Sequence, residues 1–350
     1  MKITTQITAT GETQALTDMI RCGAAVCNHI SRIAFQERIF RRIPLIYRTY
    51  HEVRDTFGLP SALTLALIRR VAASYSDPAR RNRLATFSAG SLPLYGHRYR
   101  NGELRFYGLR LPVKPREGVI LPVKAVDAVL VQRNGRVYIH QPIEVPCPEP
   151  ITPQGFLGVD MGILNIVVDS DGEVYSGAHL NGLRYRHARL RQKLQKKGTK
   201  SAKRLSKKRR RKEQRFGSWV NHTISKSLIN KARRHSLGIA IEDLKGIRER
   251  TTVRHGQRRQ HHAWAFQQLR GFIDYKAALA GIPCVAVDPR NTSRTCPACG
   301  FISKANRVSQ AKFSCGRCGA AGLADHFAAV NIAHRAVSGR GACDRPYVAA

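Results

Sequence analysis

Acidic residues are scarce in this chain. Only 23 of its 350 residues are Asp or Glu, against 60 Lys or Arg, so the formal net charge is +37 and the pI lies near 10.8. A balance this one-signed favours a polyanionic partner. Also missing is any apolar run approaching the roughly 20 residues of a membrane span, which ranks nucleic acid ahead of an anionic membrane as the expected partner. The opening stretch MKITTQITATGETQ alternates like a strand and lacks the apolar core of a signal peptide. The expectation is a cytosolic or nucleoid-associated protein, where thiols stay reduced and paired cysteines point to metal rather than disulfides. No internal repeat is evident. What the chain does have is apolar content, 43% of its residues, which at this length supports two domains or more.

The coarse pattern divides at PCPEPITPQG, where prolines at 146, 148, 150 and 153 predict a stiff crossing between domains. Before it, residues 2–8 read as a strand and 11–12 as a turn. Residues 14–40 read as an amphipathic helix with Leu16, Met19, Ile20, Ala24 and Cys27 on one face. A second helix is expected over 61–74, then short strands over 85–145. After the crossing, GFLGVDMGILNIVVDSDGEVYSG predicts three strands in a meander, over 158–162, 164–168 and 173–176. Two further apolar strands, LGIAIEDL and IPCVAVD, are separated by a helical pattern over 263–280. A meander followed by helix, strand, helix, strand is the order of an RNase H-like sheet.

Between the meander and LGIAIEDL lies the most basic part of the chain, RYRHARLRQKLQKKGTKSAKRLSKKRRRKEQRFGSW, whose one acid is Glu213. Leu190, Leu194 and Leu205 form a thin apolar stripe, so helices broken near Gly198 are expected, followed by a packing helix through Val220, Ile224, Leu228 and Ala232. Arg191, Lys193, Lys196, Lys197, Lys200, Lys203, Arg204, Lys207, Lys208, Arg209, Arg210 and Arg211 are the candidate phosphate contacts. Cations in such numbers neutralise phosphates and release counterions without reading bases. Tyr185, Phe216 and Trp219 are candidates for stacking on bases, with packing in the core as the commoner role of aromatics at these spacings.

Four cysteines fall in two pairs, Cys296 with Cys299 and Cys315 with Cys318, fifteen residues apart and each pair closed by a glycine. That is the spacing of a four-cysteine zinc ribbon with one structural Zn²⁺, and zinc contributes roughly 10 to 16 kcal/mol to folding at such sites in model peptides. Cys22, Cys27, Cys147, Cys284 and Cys343 are scattered and are expected to be core or surface residues.

In so basic a chain, acids at strand ends stand out. Asp160 ends GVD, Glu242 ends GIAIE and Asp325 opens ADHFAAVNIA. Singly these are a turn residue, a strand exit and a helix N-cap. In an RNase H-like sheet the first two would lie side by side, with the third brought in by a helix. Carboxylates so close repel by about 4 kcal/mol per pair at 4 Å and an effective dielectric of 20, so divalent cations must neutralise them. Two Mg²⁺ ions, with Mn²⁺ as a substitute, would serve in-line phosphodiester cleavage. Asp243 is not expected to share the role, because adjacent strand residues point to opposite faces. Asp288 is a weaker candidate for a fourth member.

The blocks GFLGVDMGILNIVV, LGIAIEDLKGI, HHAWAFQQLRGFIDYKAALAGIPCVAVDPRNTSRTCPACG and FSCGRCG with ADHFAAVNIA resemble, in order, the RuvC-like nuclease of the transposon-encoded TnpB family, which is related to compact type V CRISPR effectors. The resemblance covers most of residues 156–335 and is weaker before them, where GLPSALTLALIRRVAASY carries it. It implies an α/β multidomain fold. Residues 1–155 would form a wedge β-barrel with recognition helices over about 12–80. Residues 156–290 would form the nuclease, with a basic helical insertion at 184–235. A zinc ribbon over 291–320, the last nuclease segment at 321–337 and a flexible tail at 338–350 would follow. It further implies that the family's catalytic acids fall on Asp160, Glu242 and Asp325, and its zinc ligands on the four paired cysteines. The implied function is a prokaryotic RNA-guided DNA endonuclease, with guide RNA and target double-stranded DNA as partners, no membrane, and a monomeric ribonucleoprotein or a dimer as the assembly. A non-cleaving RNA-guided binder and a transposase or regulator of transposition are the alternatives. The chain departs from the family at Gly322, Leu323 and Ala324, where His-Asp-Arg is usual, and at Phe327, where Asn is usual. These departures put the surroundings of Asp325 in question.

Overall fold

The computed structural model describes residues 2–9, 13–114, 127–133, 135–243 and 266–339, in two compact units, Met1–Val145 and Pro146–Ala350. Residues 11–12, Cys343 and nearly all of the expected tail lie outside the described residues, as do 244–265 with part of the HHAWAF block. Among the described residues, no helix is long and apolar enough to cross a membrane.

In the first unit, strand β1 (Lys2–Ala9) leads into helices α1 (Thr13–Gln36), α2 (Arg42–Phe57) and α3 (Ser61–Ser74). α1 stops short of the expected residue 40, and α2 is an addition to the sequence reading. Its Pro44 falls in the first turn, where a missing N–H costs nothing. Leu16, Ile20 and Cys27 of α1 are buried as the periodicity requires, with Leu67 and Val71 of α3 in the same core. Strands β2 (Ser91–Tyr95), β3 (Arg98–Arg100), β4 (Glu103–Phe106), β5 (Leu109–Lys114), β6 (Asp127–Arg133) and β7 (Arg136–Glu144) follow. They form one antiparallel sheet with β1, in the order β2-β6-β7-β1-β5-β4-β3. The links Asn101-Gly102 and Tyr107-Gly108 both carry positive φ, the backbone that a two-residue hairpin needs.

The second unit holds a five-stranded sheet in the order β10-β9-β8-β11-β12. Its strands are β8 (Phe156–Asp160), β9 (Asn165–Asp169), β10 (Val174–Ser176), β11 (Gly238–Glu242) and β12 (Cys284–Val287). β8, β11 and β12 run parallel, while β9 and β10 are antiparallel hairpin partners. Both faces of the parallel strands are covered, which is why GIAIE reads as a continuous apolar run. Leu157, Val159, Ile239 and Ile241 meet helices α5 (Lys200–Arg234) and α6 (Phe266–Leu279) through Ile224, Leu228, Leu269 and Ile273. On the opposite face, Ala240 and Val287 meet Ile332 of α7 (Ala324–Val337). That helix passes so close to β8 that a Cβ at Gly158 would collide with the carbonyl of Ala329.

Helix α4 (Ala178–Lys197) and α5 form the basic hairpin, broken where expected: Gly198 is left-handed and the Thr199 hydroxyl accepts the Ala202 N–H. The stretch after Gly198 continues unbroken into the packing helix, so α5 spans 35 residues. Glu213 is committed to His187 of α4 at 3.3 Å and to Arg191 at 3.7 Å. Lys231 reaches the buried carboxylate of Asp169 at 2.6 Å and so ties α5 to the β9–β10 hairpin.

Candidate active site and metal centre

The register of β8 and β11 pairs Val159 with Ile241, so the next residues, Asp160 and Glu242, stand side by side at one edge of the sheet. Asp325 comes from elsewhere. It lies in the first turn of α7, whose N-cap is Leu323, so its side chain is not the cap. A cleft of about 480 Å³ is lined by all three carboxylates. Asp325 is positioned by Asn165, whose amide donates to Oδ2 at 3.0 Å, and by Arg307, whose Nη2 donates to Oδ1 at 3.4 Å. Glu242 accepts the Thr292 hydroxyl at 2.5 Å on Oε1. Thr292 is buried and accepts Asn331 on its carbonyl, which anchors it to α7.

The three carboxylates share one cleft and act on one another. Desolvation, with Glu242 and then Asp325 as like-charged neighbours, pushes the Asp160 carboxyl well above its ordinary value, against the opposing pull of Arg307 and of the Met161 backbone N–H. Burial likewise raises Glu242, despite the bond from Thr292. With Asp325 beside them, these two carboxyls make an all-oxygen donor set that suits a hard divalent cation.

Asp243 also borders the cleft. The expected alternation does not exclude it, because β11 ends at Glu242 and the two-residue period stops there. Asp288 borders a separate cleft with Arg290 and Arg335. Its carboxylate accepts the Arg290 N–H at 3.0 Å as a strand exit, and it is not in the acid cleft. Asn165, Thr292 and Arg307 went unnoticed in the sequence. A single Asn, Thr or Arg carries no periodic signal, although Thr292 falls in the family-like DPRNTSRTCPACG block.

Cys296, Cys299, Cys315 and Cys318 bring their sulfurs within 4.8 Å of one another. The pairs Cys296–Cys318 and Cys299–Cys315 are 3.6 Å apart, against about 3.8 Å along the edge of a tetrahedron with Zn–S bonds of about 2.3 Å. Gly300 and Gly319, both at positive φ, turn each pair back so that their N–H groups reach the carbonyls of Cys296 and Cys315. Backbone N–H groups of Cys318 and Arg317 hold the Cys315 thiol down to about 6, ready to ligate as a thiolate. The set fits a structural zinc site. A short hairpin, β13 (Lys312–Ser314) with β14 (Ala321–Leu323), carries the second pair and runs directly into α7.

The basic candidates lie along the α4–α5 hairpin. All are exposed except Arg191, which is half-buried against Glu213.

Two family models match the chain: OrfB_IS605, "Probable transposase", over residues 140–246, and the Cas12f1-like TNB domain over residues 266–332. The TnpB-like protein MJ0751 of Methanocaldococcus jannaschii is 31% identical over 193 residues, which is 50% of this chain and 68% of that protein. The CRISPR-associated endodeoxyribonuclease Cas12f1 of Sulfoacidibacillus thermotolerans is 38% identical over 119 residues, 34% of this chain and 27% of that protein. The chain thus spans only about a quarter of that relative's length. In fold, the chain is similar to the protein of a Cas12f1–sgRNA–target DNA complex, with a TM-score of 0.59 at 15% identity, covering 91% of this chain and 83% of that one.

Proposed function

The chain belongs to the TnpB family, and from that premise we propose that it is an RNA-guided DNA endonuclease associated with an insertion-sequence transposon. Its cutting centre on this reading is Asp160, Glu242 and Asp325. The observation that carries it is the convergence of these three carboxylates, from two parallel strand ends and one helix, on a single cleft. The sheet order, with one antiparallel hairpin beside three parallel strands, supports an RNase H-like (RuvC) nuclease over 156–290 and α7, with a zinc ribbon between its parts that runs through β14 to Leu323 rather than ending at the expected residue 320.

Two Mg²⁺ ions, or Mn²⁺ in their place, held by those carboxylates would supply activation of water and stabilisation of the leaving 3′ oxygen. The chain's own residues prepare the site. Thr292 and Asn165 hold Glu242 and Asp325 in place at the cleft that both line. Arg307 lines the same cleft and offers guanidinium donors to phosphate oxygens. The exposed cations of α4 and α5 hold nucleic-acid backbone, while pairing with a guide RNA supplies the sequence. The first unit, with three helices beside a seven-stranded sheet, takes the part of the wedge barrel and recognition bundle, gripping guide RNA and target DNA.

The test is incubation of the purified ribonucleoprotein with DNA matched to its copurifying RNA, with and without Mg²⁺, beside Asp160→Ala. Mg²⁺-dependent cutting by the parent alone is expected. Intact binding without cutting would leave a non-cleaving RNA-guided binder, and RNA-free protein that still cuts matched DNA would rule out guiding.

A further inference from the structure

Trp219 lies in the middle of α5 with 61% of its surface exposed. An exposed ring is ordinary by itself; what distinguishes Trp219 is the ring stack beneath it. Its ring stacks on Phe216, at 5.8 Å between centroids and 26° between planes, and His179 meets Phe216 edge-on at 5.2 Å. Phe216 in turn packs against the core of the second unit, so the outer ring is carried on a fixed base.

The surroundings select the ligand. Arg215 stands one turn before Trp219 and Lys226 two turns after it, both exposed. The one acid of α5, Glu213, is already bonded to His187 and Arg191. An open ring flanked by cations suits a base whose phosphates lie to either side, whereas a duplex has its bases already stacked on each other.

The platform is also connected to the acid cleft. Ile163 and Leu164 form part of the cleft wall. Their carbonyls accept the Asn181 amide at 2.8 Å and the Gly177 N–H at 2.7 Å, so the start of α4, which carries His179, is fastened to that wall.

We propose that Trp219, backed by Phe216, is a stacking platform for an unpaired base of the single DNA strand led into the acid cleft. The inference rests on the nuclease reading for the identity of the strand, but its test requires no cutting. The full-length ribonucleoprotein carrying Trp264→Phe, which leaves Trp219 as the sole tryptophan, is titrated in EDTA with oligothymidylate of about 12 nucleotides. An abasic deoxyribose-phosphate oligomer of equal length serves as the control. The thymidylate should quench Trp219 and bind roughly 5- to 100-fold more tightly than the abasic strand. In separate binding assays Trp219→Ala should abolish that preference and Trp219→Phe should retain most of it. Equal binding of the two oligomers by the parent, or an undiminished preference in Trp219→Ala, overturns the proposal. So does quenching by oligouridylate alone, which would assign the platform to RNA. Asp160→Ala protein should quench like the parent, so loss of cutting with quenching intact separates the platform from the nuclease reading.

Discussion

Phe327 fills the space that Gly322 leaves open: a Cβ at position 322 would lie 2.5 Å from the Phe327 ring. Gly322 pairs with Phe313 across the β13–β14 hairpin, and Phe327 stacks on Phe313 with centroids 4.7 Å apart and planes at 15°. The two departures from the family pattern are therefore one feature, a large ring from α7 pressed onto a glycine of the hairpin. Phe327 packs against the ribbon's small core, and Gly322 lies at its exposed edge. Asp325 instead reaches Asn165 and Arg307, and the acid cleft is bordered by Ala328 rather than Phe327.

This relationship predicts strong coupling. Gly322→Ala should destabilise the ribbon by about 1–3 kcal/mol through overpacking, and adding Phe327→Leu should recover part of that loss. Thermal unfolding of both single variants and the double would check it. A coupling of at least about 0.5 kcal/mol is expected, and strictly additive effects would mean the two side chains do not compete for space.

Removal of one sulfur ligand should cost the ribbon its metal. In Cys315→Ser or Cys318→Ser, zinc measured on the purified protein should fall close to zero, and proteolysis should begin in the C-terminal region. Because α7 continues directly from β14, cutting should weaken as well. Full zinc occupancy in either variant would refute the four-cysteine site.

Thr292→Ala and Asn165→Ala remove partners of two carboxylates without removing a carboxylate. Loss of such partners costs roughly 10- to 100-fold in metal affinity or activity. The Mg²⁺ concentration for half-maximal cutting should rise in both, while Thr292→Ser, which keeps a hydroxyl, should stay near the parent. An unchanged Mg²⁺ dependence would show that these bonds support the fold alone.

The raised carboxyls set a sign for pH. A folded-state value above the unfolded one leaves stability whole below the unfolded value, 3.8 for Asp160 and 4.5 for Glu242. Stability is then lost as pH rises from there through the raised folded value, because the unfolded chain releases its protons first. In EDTA the parent should accordingly lose stability relative to Asp160→Asn as pH rises from about 4 toward neutrality, and Mg²⁺ should reverse the loss in the parent. Thermal melts of both proteins across that range measure the difference. A difference that does not vary with pH would show that Asp160 is not held protonated.

The parts legible in the sequence are those whose signal is local and periodic. The buried face of α1, the strand GIAIE and the break at Gly198 each repeat or interrupt a pattern within one element. α2 was obscured by Pro44, whose effect depends on which turn it occupies, and the unbroken length of α5 by a basic stretch too poor in apolar residues to show its period. Spacing alone identified the cysteine pairs, because a ligand set built from two short loops is nearly complete before folding. By itself the sequence determined the charge, the succession of strands and helices in the second unit and the chemistry available at each strand end. Only tertiary structure decided which acids share a cleft, since Asp325 lies far along the chain from Asp160 and Glu242 and meets them by the passage of α7 over Gly158. It also decided that Thr292, Asn165 and Arg307 serve those acids and that Gly322 and Phe327 serve the ribbon. Such assignments depend on distances across the fold, which no local pattern records.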